Sequence, residues 1–400
     1  MVVASSLTWP EVFRKNIVAN ARYWLERLEQ ADLSVDDRRN VLRALSYALE
    51  LDAAWPIAHR LTLSLAPLME QQGAWEEMAG LLRAAVEASR SRGDLPAQAA
   101  FLILQGNIYR LQSRLEQANQ VYDRALELYR RLGDKIGQAT ALNRLAYSRR
   151  LQQNLPQAKE LSEQALAHLP QGHPERAHSF HILSLVALDS RQWQDCLRNG
   201  RLALARWRAK GNRHLAAVTL LGMATALLRL KRYEEADRTC VEANEIFESL
   251  NDPLHGAIAL NNRGTVYLDK KQFDRALAYF GEAERTFRRY HYKRGLTWVY
   301  NNLGIIYTQQ KAWAEAERAY HSAIQSSREL KDAENTANCL DNLALMYKAK
   351  GDLKAAQQAL QTALAELEQG GDNPTYDHAR EVILQRLTQF RQESKSGLSS

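Results

Sequence analysis

The chain has 400 residues, 46% hydrophobic and 25% charged, with a formal net charge of +7. That balance fits a folded soluble protein. Three widely spaced cysteines, Cys196, Cys240 and Cys339, exclude a disulfide framework and point to a reducing compartment. No run reaches the ~18 apolar residues of a membrane span. The opening MVVASSLTWPEVFRKN has no basic segment followed by an apolar stretch, so no signal peptide is expected and the cytoplasm is the expected location.

Residues 1–56 contain helical runs at about 10–30 and 34–51, marked by Val12, Ile17, Ala21 and Trp24, then Val41, Leu42, Leu45 and Leu49. They read as a divergent N-terminal helical cap. From there one pattern recurs eight times. A small or slim residue falls at Met78, Ala118, Ala158, Cys196, Ala236, Ala276, Ala316 and Ala356. The step is 40 residues except from Ala158 to Cys196, where it is 38. Seven residues beyond each lies an alanine, from Ala85 and Ala125 to Ala323 and Ala363, and three residues before each stands a bulkier side chain such as Trp75, Tyr233, Phe273 or Trp313. A period of this size specifies a solenoid, an architecture that presents a long surface.

The units run at about 57–94, 95–134, 135–173, 174–212, 213–252, 253–292, 293–332 and 333–372. Each reads as two helices. In the sixth, HGAIALNNRGTVYLDKK is followed by FDRALAYFGEAERTFRR, whose Phe273, Ala276, Phe280, Ala283 and Phe287 make a single apolar stripe. Gly93-Asp94, Gly133-Asp134, Gly211-Asn212, Asn251-Asp252 and Gly371-Asp372 pair a helix stop with a helix cap. Pro67 falls inside a predicted helix, where a kink is expected. The fourth unit departs most, with Ser184, Ala187 and Gly200 in place of bulkier choices, and a change of superhelix pitch is expected there. Val382, Ile383, Leu387 and Phe390 define a capping helix within 373–393, and 394–400 is expected to be a disordered tail.

Gly106, Tyr109, Ala118 and Ala125 reappear as Gly264, Tyr267, Ala276 and Ala283, as Gly304, Tyr307, Ala316 and Ala323, and as Ala344, Tyr347, Ala356 and Ala363. This pattern resembles the tetratricopeptide repeat family over about residues 57–372. The 40-residue form is similar to the repeats of kinesin light chain, the Pins/LGN polarity adaptors and bacterial STAND regulators. The resemblance implies an all-α, right-handed α-solenoid of about eight helix-turn-helix repeats. Residues 41–94 also resemble the segment that follows the nucleotide-binding part of STAND proteins.

In that family the first helix of each repeat faces the groove and contacts peptides. Carried onto this chain, the groove holds Asn261, Asn262, Asn301, Asn302 and Asn342, with Asn338 and Trp298 nearby. An amide both donates and accepts, so a row of them suits the backbone of an extended peptide. Nearer the N-terminus, Asn107, Arg110, Asn143, Arg144 and Arg150 give a basic lining suited to carboxylates or phosphates. Bridging of neighbouring helices, or plain solvation, is the competing reading of these side chains.

His173, His178 and His181 lack a convincing further ligand, so no metal is expected; Cys196 and Cys240 read as buried packing residues. No glycine precedes a lysine, and GxSxG and HExxH are absent, so neither an enzyme nor a cofactor is expected. The expected function is an adaptor or sensor that binds a protein or peptide with an extended, acidic segment. Three readings stay open beside it: the sensor arm of a STAND-like system with a separate NTPase, a nucleic-acid contact through Arg198–His214 and Arg285–Arg294, and a self-assembling scaffold. The sequence leaves the oligomeric state undetermined.

Overall fold

A computed structural model of the protein describes residues 8–28, 34–71, 73–371 and 376–396. Over these the chain is all-α, with nineteen α-helices, a short 3-10 turn at Asp52–Ala54 and no strand. Helices α1 (Trp9–Leu28) and α2 (Val35–Glu50) come first. Hairpins follow, in which α3 (Trp55–Gln71) pairs with α4 (Trp75–Ser91), α5 (Leu95–Leu111) with α6 (Leu115–Arg131), and α7 (Lys135–Leu151) with α8 (Leu155–His168). Next come α9 (Arg176–Asp189) with α10 (Trp193–Ala209), α11 (Arg213–Arg229) with α12 (Tyr233–Ser249), and α13 (Pro253–Asp269) with α14 (Phe273–Arg289). The last pairs are α15 (Lys293–Gln309) with α16 (Trp313–Glu329) and α17 (Ala333–Lys350) with α18 (Leu353–Gln369), before a closing helix, α19 (Asp377–Ser396). Pro67 lies inside α3, which continues through it. Asp372 of the last expected turn and residues 397–400 of the expected tail lie outside the described residues, while 394–396 belong to α19.

The chain forms two compact units, residues 1–182 and 183–400, divided within α9. In the first, one continuous apolar core runs from Ala21 of α1 to Leu169 beyond α8. The second has separate clusters, one around Phe280 and Phe287 and another from Ala316 to Phe390.

The recurring small positions explain how the hairpins close. Met78, Ala118, Ala158, Cys196, Ala236, Ala276, Ala316 and Ala356 are all fully buried, as are the alanines seven residues beyond each. Second-helix backbones therefore sit close against their neighbours, where a longer side chain would be overpacked. A complementary device fixes three of the hairpins, those of Gly106, Gly264 and Gly304, from the other side. A Cβ on Gly264 would come within 2.6 Å of the Phe280 ring, and one on Gly304 within 2.6 Å of Tyr320. The missing side chain of the first helix is thus the space that the aromatic ring of the second fills.

The fourth repeat inverts this device. Ser184 stands where the second, sixth and seventh repeats have glycine, and Gly200 stands where those three have Tyr122, Phe280 and Tyr320. Met223 of α11 fills the gap instead: a Cβ on Gly200 would lie 2.7 Å from its Cγ. Ser184 Oγ donates to the Cys196 carbonyl at 2.8 Å. The departure seen in the sequence is therefore a transfer of the filling side chain to the next repeat.

Turn chemistry follows the expected stops. Gly93, Gly133, Gly211 and Asn251 have positive φ, and the next residue, Asp94, Asp134, Asn212 or Asp252, accepts a backbone N–H of the following helix. The turns inside the hairpins carry a feature that composition hides. Ser113, Gln153, Arg191, Lys231, Lys271 and Lys311 all adopt φ between 57° and 63° without being glycine. Each lies where two backbone bonds close the helix end, as when Ser113 and Arg114 donate to the carbonyls of Arg110 and Tyr109.

Candidate functional site

Within each unit, first helices of successive hairpins touch one another: α3, α5 and α7 in the first unit, and α11, α13, α15 and α17 in the second. Their outward-facing side chains therefore form continuous rows, and both groups of candidate residues lie on them.

In the first unit the row is charged. Asn107 Oδ1 accepts the Tyr122 hydroxyl at 3.0 Å. The Arg110 guanidinium lies 5.4 Å from the Tyr147 ring centroid and that of Arg150 lies 6.0 Å from it. Glu70 completes the group. Burial raises its pKa against the opposing pull of Arg110, Asn107 and Arg144. Burial likewise pushes the Tyr122 phenol up to about 12, opposed by the same two arginines. Arg144 Nε is buried without a hydrogen-bond partner, which leaves a directed donor in a basic setting. Sequence reasoning missed Glu70, an acidic residue at the end of a helix with nothing in its local pattern to set it apart.

Asn143 does not belong to this face. It is fully buried, donates to Glu175 at 3.4 Å and accepts the Ser179 hydroxyl at 2.8 Å, so it joins α7 to the start of α9.

In the second unit the row is neutral. Asn262 donates to Thr225 Oγ1 at 3.5 Å, and Asn302 donates to Thr265 Oγ1 at 3.3 Å, one repeat further on. Asn342 donates to Asn301 Oδ1 at 3.0 Å. All four amides are half-buried, Asn338 is exposed, and half-buried Trp298 meets the Tyr292 ring edge-on at 6.2 Å. Bridging of adjacent helices, the competing reading of the sequence, is therefore realised, yet each bridging amide keeps an accessible edge. Asn261 is the exception: it is 5% exposed, with its Oδ1 buried and unpartnered, and is a core residue rather than a groove residue.

The other candidates resolve simply. All three cysteines are buried and reduced; burial raises the Cys196 thiol and pushes those of Cys240 and Cys339 up to about 12, so none is a ready nucleophile. His181 is buried, and His178 lies 3.9 Å from Glu175. Part of each basic stretch is paired: Arg198 with Asp195, Arg208 with Glu242, Arg288 with Glu284, and Lys293 with Glu329. No helix among the described residues is long and apolar enough to cross a membrane.

Solved structures with this arrangement include the apo quorum sensor NprR from B. thuringiensis, with a TM-score of 0.61 at 12% identity over 89% of this chain and 99% of that one. Aspartyl phosphate phosphatase F from Bacillus subtilis gives 0.59 at 14% identity, covering 92% and 97%. A Rap protein complexed with competence and sporulation factor gives 0.57 at 14%, covering 84% and 98%. A STAND-class signal-transduction ATPase with a tetratricopeptide sensor, from Pyrococcus horikoshii, gives 0.51 at 14%, with 90% of this chain matched to 56% of that one. At such identities the likeness is one of fold. Comparison with curated protein sequences finds no match. The tetratricopeptide repeat profile matches residues 97–171, 215–289 and 295–369. These segments span more than half of the sequence, and the chain belongs to the tetratricopeptide repeat family.

Proposed function

We propose that the chain is a non-catalytic sensor or adaptor that holds an extended peptide or protein segment against its first helices. The observation that carries this reading is the row formed by Asn262, Asn302 and Asn342, one per repeat, each tied to a neighbouring helix and each still half-exposed. Such a row is held in place before a ligand arrives, which lowers the entropic cost of binding. Its amides both donate and accept, as an extended backbone requires. Trp298 and Asn338 would select a side chain beside it, and Asn107, Arg110, Arg144 and Arg150 would favour an acidic partner. The fold likeness to a quorum sensor and to a Rap protein complexed with competence and sporulation factor supports a sensor role. The three buried, unpaired cysteines suit the cytoplasm.

A sensor arm serving a separate NTPase is the second reading, favoured by the likeness to the STAND sensor across 90% of the chain. Nucleic-acid binding is less favoured because part of each arginine stretch is held by neighbouring carboxylates.

The test is an affinity capture from native lysate with the wild type and with the combined Asn262→Ala, Asn302→Ala and Asn342→Ala variant, helicity being checked for both. A partner captured by the wild type and lost by the folded variant supports the groove. Equal capture by both sinks it and moves the contact to another face. Co-capture of an NTPase identifies the sensor-arm reading.

A further inference from the structure

Away from the rows of candidate residues, a cluster of three ligating side chains stands at the junction of the fifth and sixth repeats. Asp252 caps α13, its Oδ1 accepting the His255 N–H at 3.1 Å. Its other oxygen, Oδ2, lies 3.1 Å from His214 Nε2 and 2.8 Å from His255 Nδ1. The two imidazole nitrogens and this oxygen all fall within 4.8 Å of one another, and no other group of three such side chains among the described residues does so.

Capping does not require the imidazoles. Asp94, Asp332 and Asp352 cap their helices in the same way without any histidine bonded to the carboxylate. In the 40-residue register, the three positions become Leu254, Tyr292 and Gly295 one repeat later, and Arg294, Asp332 and Asn335 after that. The rings are also held in orientation. His255 stacks on Phe247 with centroids 5.2 Å apart, and His214 meets the same ring edge-on at 5.8 Å. Phe247 itself is fully buried, so this support is rigid. The outer side stays open, with the side chains of His214 and His255 47% and 35% exposed.

We propose that His214, Asp252 and His255 form a binding site for a divalent first-row transition cation, zinc foremost, that ties the start of α11 to the start of α13. Two imidazoles and one carboxylate are a donor set suited to zinc, with bonds of about 2.0–2.2 Å, and water completes a tetrahedron. Ligand atoms on such a tetrahedron are about 3.3 Å apart, close to the two separations around Oδ2. The two nitrogens, within 4.8 Å of each other, draw together on binding. On binding, each neutral imidazole carries its proton on the nitrogen away from the cation, and the carboxylate exchanges two hydrogen bonds for one metal bond. The bound cation and carboxylate leave a net charge of +1 at the junction, and the clamp joins adjacent repeats without occupying the amide row.

The test uses the full chain freed of any affinity tag, titrated with zinc chloride by calorimetry and with cobalt chloride by visible absorption. One equivalent of zinc, a tetrahedral cobalt spectrum and a zinc-dependent rise in melting temperature are expected of the wild type. His214→Gln and His255→Gln should each weaken zinc binding about tenfold or more and abolish the rise. Asp252→Asn, which preserves the helix cap, should weaken zinc binding and diminish the zinc-dependent rise. Non-saturating binding by the wild type overturns the proposal. So does unchanged affinity in the two histidine variants, which would place the cation on other residues.

Discussion

The first helices of the two units carry different linings. In the N-terminal unit Arg110 and Arg144 crowd around Glu70, whose ionisation burial already opposes, and Arg150 stacks near Tyr147. In the C-terminal unit the equivalent surface carries neutral amides bonded to one another or to threonines across the repeat boundary. A charged lining discriminates by side chain and is weakened by salt, whereas an amide lining reads a backbone and is indifferent to ionic strength. On the proposed reading one repeat fold thus offers two recognition chemistries, set by a few first-helix positions while the small second-helix positions recur throughout.

The sharpest way to separate the units is acid. His181 lies in the N-terminal unit, and burial, with Arg150 adding its charge, lowers its pKa from 6.5 to about 4. The folded unit then binds fewer protons than the unfolded chain between those values, so stability falls as the pH drops through this window. The full effect is up to about 3 kcal/mol. Hydrogen exchange at pH 7 and pH 4.5 should show the loss in α7 and α9, and His181→Gln should reduce it. Equal loss in both proteins would mean that another group controls the acid response.

Packing offers a second, smaller contrast. Ala276→Leu and Ala316→Leu should each destabilise the C-terminal unit by about 1–3 kcal/mol through overpacking, without touching the amide row. Urea denaturation measures this, and unchanged midpoints in both variants would show that these helices do not cross as closely as described. The smallest effect is expected at a hairpin turn. Lys311 holds φ at 59°, and Lys311→Gly should stabilise by about 0.5 kcal/mol, since relief of left-handed strain slightly exceeds the added chain entropy. A lower melting temperature would show that the lysine side chain contributes more than its backbone costs.

The repeat frame was legible because close helix crossings demand small residues at fixed intervals, and Ala276 or Ala316 can be recognised without knowing their neighbours. The turn glycines were legible because glycine adopts the left-handed conformation most readily and a capping residue follows each. The lining was less so. Adjacent residues on a helix differ by about 100° in direction, and that angle decides whether an amide faces out or in. Asn262 emerges while Asn261 is buried, and Arg144 emerges while Asn143 is lost to Ser179 and Glu175. Both pairs look alike in one dimension. The left-handed turns at Ser113 or Lys271 were hidden because their side chains do not advertise that conformation. The His214–Asp252–His255 group escaped because its members sit in two repeats, 38 and 41 residues apart, where no local spacing announces a ligand set.

The exchange of partners in the fourth repeat has a consequence for how such an array can change length. Where a repeat fills its own hairpin, as with Gly264 and Phe280, that interior is complete within the module, while contacts such as Phe287 against Gly295 join it to the next repeat. The fourth repeat borrows Met223 from the fifth, so its interior is completed only by its neighbour. Recombination between repeats that parted them would leave a hole beside Gly200 on one side and a stranded methionine on the other.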